Sequence, residues 1–582
     1  MPASSVPSSA VIRLGLAQCR LTVGDITGNA EIVRLVARRA AAAEVGVLAF
    51  PEMTLTGYPP EDLVLRSSFV EASEAALVKL AADLAADGNG HLAVVVGYLR
   101  AGSGRRPQNA VAVLQNGTVL GSGAKFHLPN YGVFDEARYY EPADKATILR
   151  YGDVDIALTI CEDLWQSGGP VAAAAEFGVG LVLCINGSPY ERGKGAFRLG
   201  LCRSVAATVD APVAYVNQVG GQDELVFDGA SLVVGADGSL LAHAEQFAEE
   251  LLVVDMTAHT HANRGTTNLL EQTAHTEGVL PINWINAEPA DPPTSPAPIR
   301  LADQLDDLAE VYEALVVGTR DYVEKNGFSA VVIGLSGGID SALTTTIAVD
   351  ALGADRVHTV AMPSAYSSQH SLDDAAELAR RQGTHHRVIS IESMVEAYQK
   401  ALQLSGLAEE NLQARVRGTL LMALSNSEGP LVLTTGNKSE LATGFSTLYG
   451  DSAGGFAPIK DIPKTLVWEL SRWRNAQPGG PPIPENSISK EPSAELAPGQ
   501  RDADRLPSYD LLDALLDDYV ENDQGRDQLI AAGHDEALVD RTVRLVDLAE
   551  YKRRQNPPGP KVTPKAFGRD RRLPITNRWR EG

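Results

Sequence analysis

Gly334-Leu-Ser-Gly-Gly-Ile-Asp-Ser341 decides how the C-terminal half of the chain is read. An apolar run, Ala330-Val-Val-Ile333, precedes it, and Ala342-Leu-Thr-Thr-Thr-Ile-Ala-Val349 follows. That order spells a strand, a glycine-rich turn and the start of a helix. Such a turn presents backbone N–H groups and a positive helix end to an anion. Gly337 and Gly338 let a phosphate come close to the backbone. Ser336 and Ser341 add hydroxyl donors, and Asp340 can hold a magnesium ion on the phosphates. No lysine stands where the GxxxxGK[ST] loop of kinases and GTPases would place one.

Around this turn, strand-like runs at 330–335, 357–362, 386–391 and 430–435 alternate with helical patterns. The alternation predicts a doubly wound, Rossmann-like parallel sheet, with the turn after its first strand, where open α/β sheets bind ligands. Residues 476–507 are rich in Pro, Gly and Ser, and 555–582 are basic and Pro-rich. Long irregular segments inside a compact domain are often functional, and 476–507 is a candidate lid.

Upstream, residues 286–300 carry five prolines without periodicity, which reads as a linker. The expected domains are therefore 10–285 and 301–582. The first half is rich in short strands, at Val11–Gln18, Val45–Phe50, Leu92–Leu99, Val154–Ile160, Leu181–Ile185 and Val213–Val216. Hairpin turns stand at Asn116-Gly117 and Asp237-Gly238, and alanine-rich helical patterns at about 29–44 and 71–87. This composition predicts layered α/β structure with a mixed sheet.

The chain has 582 residues, 44% hydrophobic and 21% charged, with a formal net charge of −24. Those values fit a globular protein of two or more domains. The acidity argues against nucleic acid or an anionic membrane as the main partner. No apolar run is long enough to span a bilayer. Met1–Ala10 lacks the basic and apolar regions of a signal peptide and reads as a frayed tail. Four cysteines, Cys19, Cys161, Cys184 and Cys202, lie without CxxC spacing. Neither a zinc site nor a disulfide framework is expected, and a reducing cytoplasm is the expected compartment.

Cys161 ends a strand-like run in Leu158-Thr-Ile-Cys-Glu-Asp-Leu-Trp165. Thiol catalysis needs a thiolate, a proton carrier and a cation that stabilises a developing oxyanion. Candidates stand at two other strand ends: Glu52 in Phe50-Pro-Glu-Met-Thr-Leu-Thr-Gly57, and Lys125 in Ala124-Lys-Phe-His-Leu-Pro-Asn-Tyr131. His127, in the lysine motif, reads as structural, and Cys19, Cys184 and Cys202 as packing residues.

This Glu-Lys-Cys set, on those three motifs, resembles the nitrilase (carbon-nitrogen hydrolase) family over about residues 10–275. The resemblance implies an α-β-β-α sandwich, with Glu52 as general base, Lys125 stabilising the tetrahedral intermediate and Cys161 as nucleophile. Glu136 matches the family's supporting second glutamate. Asn186–Lys194 and Gln222–Gly229 are similar to the glutamine-hydrolysing branch, where Tyr131, Ser188 and Lys194 match glutamine-holding positions. The family often has Arg where this chain has Lys194, and lysine lacks the bidentate fork for a carboxylate.

SGGxDS resembles the pyrophosphate loop (PP-loop) of enzymes that cleave ATP to AMP and pyrophosphate. Several enzyme types share it, and the remaining motifs choose among them. Asn411–Gly418, Leu433–Glu440, Thr447–Asp451, Pro492–Leu496, Leu506–Asp510, Lys552–Arg554 and Ala566–Asp570 resemble NAD synthetases. With the nitrilase-like half, the chain resembles the glutamine-dependent NAD synthetase family from about residue 10 to 580.

By that resemblance ATP meets Gly334, Leu335, Ser336, Gly337, Gly338, Ile339, Asp340, Ser341 and Thr435. Deamido-NAD (nicotinic acid adenine dinucleotide) meets Asn411, Glu440, Phe445 and Lys552, with Lys561 an alternative to Lys552. Asp340 and Glu440 are oxygen ligands suited to Mg2+, and Arg415 and Arg417 can meet phosphates. The implied substrates are glutamine, ATP and deamido-NAD, and the implied assembly is a homo-oligomer. An ammonia tunnel is expected, because free ammonia would be protonated in neutral water. Two alternatives stay open: another glutamine-dependent adenylating amidotransferase, distinguished by the surroundings of Asn411–Gly418 and Phe445, and a nitrilase regulated by a nucleotide-sensing module, distinguished by absence of pyrophosphate release.

Overall fold

A computed structural model describes residues 9–260, 279–497 and 499–579. The expected frayed tail before residue 9 lies outside the described residues. Internal contacts divide the chain into two compact units. The first comprises the residues up to 222 together with 227–305, and the second comprises 223–226 with the residues from 306 onward.

The first unit contains two mixed sheets. One orders its strands Glu250–His259, Ser9–Gln18, Val47–Ala49, Ala93–Arg100, Gln108–Gln115 and Thr118–Ala124. The other orders Leu240–His243, Leu232–Val234, Val213–Asn217, Leu181–Asn186, Val154–Ile160, Ala146–Tyr151 and Ile282–Ala287. Successive residues of a strand point to opposite faces, and these strands bury both. Leu181, Leu183 and Ile185 face the core between the sheets, together with Leu14, Leu16 and Val95. Their neighbours Val182 and Cys184 face the helices Gly169–Phe177 and Lys194–Val209. On the other side, Val94 and Val96 meet the helices Ile26–Ala42 and Ser67–Ala86. The result is the expected α-β-β-α sandwich. Doubly buried strands read as continuous apolar runs, which is why they were visible in the sequence.

Both expected hairpins form, at Asn116-Gly117 and Asp237-Gly238. The proline-rich stretch 286–300 runs along the first unit. Its first two residues end the strand Ile282–Ala287, which pairs with Ala146–Tyr151. Farther on, Thr294 donates to Glu44, Ala297 N donates to Asp255, and Arg300 bonds Glu250.

The second unit carries a four-stranded, all-parallel sheet in the order His385–Val388, Val357–Ala361, Val331–Gly334, Leu431–Leu433. In chain order this is 3-2-1-4, so the direction of winding reverses between the strands ending at Gly334 and Leu433. The crevice beyond the carboxyl ends of such a strand pair is where doubly wound sheets bind ligands. Among its described residues, segment 476–507 is mostly irregular, with short helical turns at Glu485–Ser489 and Asp502–Asp504.

Candidate active sites

In the first unit, Cys161 opens a 3₁₀ turn, Cys161–Leu164, directly after the strand Val154–Ile160. Its φ of +46° lies in the left-handed region, which non-glycine residues rarely adopt outside constrained sites. Asp163 holds the turn. This buried carboxylate accepts Ile160 N at 3.0 Å, Phe126 N at 3.0 Å and His127 N at 2.9 Å. It therefore ties the turn that carries Cys161 to the segment that carries Lys125.

Lys125 is buried and donates to Glu52 Oε1 at 2.8 Å and Glu136 Oε1 at 2.9 Å. Glu52 is fully buried and also accepts Asn109 Nδ2 at 2.6 Å and Gly187 N at 2.8 Å. Tyr58 donates to Glu136 at 2.8 Å. Burial opposes the lysine charge, but Glu136, Glu52 and Cys161 together hold the ammonium well above its ordinary range. Burial, offset by Lys125 and reinforced by Glu52, pushes Glu136 up to about 7. Burial and then the Glu52 charge push the Cys161 thiol well up, with Lys125 acting the other way. A resting cysteine here keeps its proton, within the reach of the Glu52 charge.

The other expected residues surround the same turn. Tyr131 donates to Glu162, next in the chain to Cys161, at 2.9 Å. Lys194 Nζ stands 6.0 Å from the ring centre of Trp165, the residue that follows the turn. Ser188 is buried; its N–H bonds Asn217 and its carbonyl accepts from Arg198. Arg198 is itself buried and paired with Asp228 at 2.6 Å. The His127 ring packs edge-on against Phe126 at 4.7 Å, and burial lowers its pKa. It stands neutral, in keeping with a structural part.

In the second unit, a cavity of about 290 Å³ opens beyond the switch point. The turn lines it with Gly334, Leu335, Ser336, Gly338, Ile339, Asp340 and Ser341. Thr434, Thr435 and Gly436 line it from the end of the neighbouring strand, with Glu440, Phe445 and Arg417. Gly337 turns its Cα face away: at φ +82°, an added Cβ would sit 2.2 Å from Ser371 O. Ser336 and Ser341 hydroxyls lie 3.1 Å apart and tie the turn together.

Asp340 is held by Asn437 Nδ2 at 2.9 Å and by the buried Lys464 ammonium. Glu440 closes a capping box with Asn437 at the start of the helix Lys438–Thr443. Burial and the Asp340 charge push its carboxyl well above the usual range. Two mutually repelling acids at one cavity suit a divalent cation completed by phosphate oxygens. Arg417 donates to Met362 O at 3.0 Å, and burial lowers its pKa to about 10. Segment 476–507 contributes Ser487, Lys490 and Glu495 to the wall.

Four further expected residues do not line this cavity. Asn411 accepts Thr447 Oγ1 at 2.7 Å, and Lys552 donates to Gly444 O and Ser446 O at 2.7 and 2.9 Å. Both hold the loop that carries Phe445. Lys561 is buried and donates to Thr563 O at 2.6 Å. Arg415, expected to meet a phosphate, donates to Leu448 O at 3.1 Å.

A carbon-nitrogen hydrolase family model matches residues 13–263, and an NAD synthase family model matches 311–556. The glutamine-dependent NAD(+) synthetase of Acinetobacter baylyi is 42% identical, over 98% of this chain and 99% of its own length. The chain belongs to the glutamine-dependent NAD(+) synthetase family. The Thermotoga maritima member is 41% identical over the same shares of the two chains. A solved structure of the glutamine-dependent NAD+ synthetase from Acinetobacter baumannii, in complex with ADP, matches with a TM-score of 0.73. It is 39% identical and covers 98% of this chain and 100% of that one. As a glutamine-dependent NAD(+) synthetase the chain is a carbon–nitrogen ligase with a nitrilase-like glutaminase half. Among its described residues, no helix is long and apolar enough to cross a membrane.

Reading the sequence missed Asn109, Tyr58, Asp163, Asn437 and Lys464 in these candidate sites. Asp163 and Asn437 could have been found, since each lies within a motif already singled out. Lys464 offered no local signal.

Proposed function

We propose that this chain makes NAD by hydrolysing glutamine at Cys161 and adenylating deamido-NAD in the second unit's cavity. The ordered Glu52–Lys125–Cys161 cluster carries the first assignment. In that reaction Glu52 takes the Cys161 proton as the sulfur attacks the amide carbon of glutamine. Lys125 and nearby backbone N–H groups stabilise the tetrahedral oxyanion. Ammonia leaves with a proton returned by Glu52, and water then cleaves the thioester to glutamate. Tyr131, Ser188 and Lys194 hold the glutamine, Lys194 by a single-point charge on the carboxylate.

In the second unit the turn 334–341 and Thr435 receive the phosphates of ATP through N–H and hydroxyl donors. The nicotinate carboxylate attacks the α-phosphorus and pyrophosphate departs. The carboxylate's poor leaving group is thereby exchanged for AMP. Ammonia then adds to the acyl carbon and AMP leaves, giving NAD. Asp340 and Glu440 are the residues that would hold Mg2+, which supplies charge neutralisation on the phosphates. Lys464 pairs with Asp340 and aligns it, and the Arg417 guanidinium faces the departing phosphates. Phe445 offers a ring to the dinucleotide, on a loop that Asn411 and Lys552 brace. The reading also takes the chain to work in the cytoplasm as a homo-oligomer, with two domains about the 286–300 stretch and ammonia passing under shelter.

NAD formation tests it, with glutamine or ammonia as nitrogen source and ATP, Mg2+ and deamido-NAD present. Cys161→Ala is expected to lose synthesis from glutamine and keep it from ammonia. Loss with both sources would refute the division of labour. Absence of NAD from the wild type with either source would refute the dinucleotide substrate.

A further inference from the structure

Asn109 lies in the strand Gln108–Gln115 of the first unit and is 1% exposed. Val111 and Val113 of the same strand face the apolar core between the two sheets. Side chains alternate along a strand, so Asn109 shares that face. A carboxamide buried there is costly wherever its polar atoms stay unengaged. Its Nδ2 donates to Glu52 Oε1 at 2.6 Å. Its Oδ1 is buried and has no hydrogen-bond partner among the described residues. For the fold alone, an apolar side chain of the same size would fill this position at less cost. The one engaged end of the amide is the end that meets the proposed general base.

The two oxygens of Glu52 are filled unequally. Oε1 accepts both Asn109 Nδ2 and, at 2.8 Å, the Lys125 ammonium. Oε2 accepts Gly187 N at 2.8 Å, its one donor among the described residues. A carboxylate oxygen offers about two lone pairs, so Oε1 is saturated and Oε2 keeps one pair free. Asn109 also serves Lys125 through its main chain, because its carbonyl accepts Lys125 N at 2.8 Å. One residue thereby sets the backbone of the cation and the rotation of the carboxylate.

We propose that Asn109 is a positioning residue of the glutaminase reaction, one that fills Glu52 Oε1 and reserves Oε2 for the proton leaving Cys161. The inference rests on the proposed reading of Cys161 as nucleophile and Glu52 as base. In the acylation step the S–H bond breaks, its proton goes to Oε2, and the sulfur electron pair forms the bond to the amide carbon. The same proton then passes from Oε2 to the leaving nitrogen as the C–N bond breaks. Without the Asn109 donor, Oε1 also has a free pair, and the carboxyl group can turn about its last bond. The proton is then shared with an oxygen that faces Lys125. The groups whose charge couples to Glu52 are Lys125, Glu136 and Cys161, with the phenols of Tyr58 and Tyr140.

Glutamate release by the full chain, measured against glutamine concentration and pH, tests the proposal, with NAD formation from ammonia as the check on folding. Asn109→Leu keeps the size of the side chain and removes the donor. Its kcat should fall about 10- to 100-fold at an unchanged KM for glutamine. Asn109→Ala replaces Asn109→Leu should that variant lose the ammonia reaction. Asn109→Asp also keeps the shape, and the introduced carboxyl donates to Glu52 only while it holds a proton. The kcat of Asn109→Asp relative to wild type should therefore rise as pH falls, and that of Asn109→Leu should not. An unchanged kcat in Asn109→Leu, a loss carried by KM alone, or a level ratio for Asn109→Asp overturns the inference. A wild type that releases no more glutamate than Cys161→Ala overturns the underlying reading instead.

Discussion

Asp163→Asn isolates the tie between the turn of Cys161, the proposed nucleophile, and the segment of Lys125. In the wild type one carboxylate oxygen accepts Phe126 N and His127 N, and the other accepts Ile160 N. An asparagine keeps one oxygen acceptor and places an NH2 group against a backbone N–H. One charge-assisted bond is lost, about 1.5–3 kcal/mol, and a buried donor is left facing a donor. If the segment bearing Lys125 leaves its place by that free energy, the aligned population falls about 10- to 100-fold. Glutamine hydrolysis should fall by that factor in kcat, while NAD formation from ammonia persists. The same variant has a pH signature. Burial raises Asp163 to about 6 in the native protein, against about 3.9 in the unfolded chain. Between those values the native state takes up a proton that the unfolded state does not, so this group's contribution to stability rises as pH falls from 6 to 4. Urea midpoints across that window should show the slope in the wild type and lose it in Asp163→Asn. Full glutaminase activity in the variant would refute the tie, and equal loss of the ammonia reaction would show a general folding defect instead.

Other substitutions separate the two sites. Asp228→Ala leaves Arg198 buried without its partner, a loss of about 3–5 kcal/mol; denaturant unfolding should register it, with the glutaminase activity lost first because Arg198 holds the Ser188 and Pro189 carbonyls. Gly337→Ala forces a Cβ to within 2.2 Å of Ser371 O at a φ of +82°. NAD formation should fail with either nitrogen source while glutamine hydrolysis remains, and normal ATP use would contradict the packing seen at the turn.

Where a candidate site residue ends an apolar run, the sequence exposed it. Cys161, Glu52 and the turn at 334–341 each follow strands buried on both faces, and continuous apolar runs mark such strands plainly. The partners of those residues carry no such mark. Asn109 lies 57 residues from Glu52, and Tyr58 lies 78 from Glu136. Asn437 and Lys464 lie 97 and 124 residues from Asp340. Asn437 lies inside a motif already singled out, but no local signal ties Asn109, Tyr58 or Lys464 to its partner, and only the fold brings them together. Lys552 shows the opposite case. Its motif was legible, but the structure places its ammonium on the carbonyls of Gly444 and Ser446, so the motif braces the Phe445 loop.

Burial holds the Cys161 thiol of the proposed glutaminase site well up, and the charges around it determine which substitution would change that. Burial is the largest cause of the raised Cys161 pKa and cannot be removed by changing one charge. The next cause is Glu52, with Lys125 opposing. Glu52→Gln removes the negative charge and nearly keeps the shape, with its one amide oxygen left to accept from Asn109 or from Gly187 N. The Lys125 field on the sulfur is then less offset, and the thiol pKa must fall. A larger thiolate fraction makes the sulfur more reactive toward an alkylating agent. Turnover needs more than a thiolate, because the leaving amide must be protonated and a water activated, and glutamine has no such proton carrier. Glu52→Gln should therefore alkylate faster than wild type at neutral pH and hydrolyse glutamine at least about 100-fold more slowly. Mass spectrometry of the Cys161 peptide after timed exposure to iodoacetamide reads the first effect, and glutamate release reads the second. Alkylation and hydrolysis falling together would mean that Glu52 serves the site by holding its shape, and the assignment of proton transfer to this carboxylate would fail.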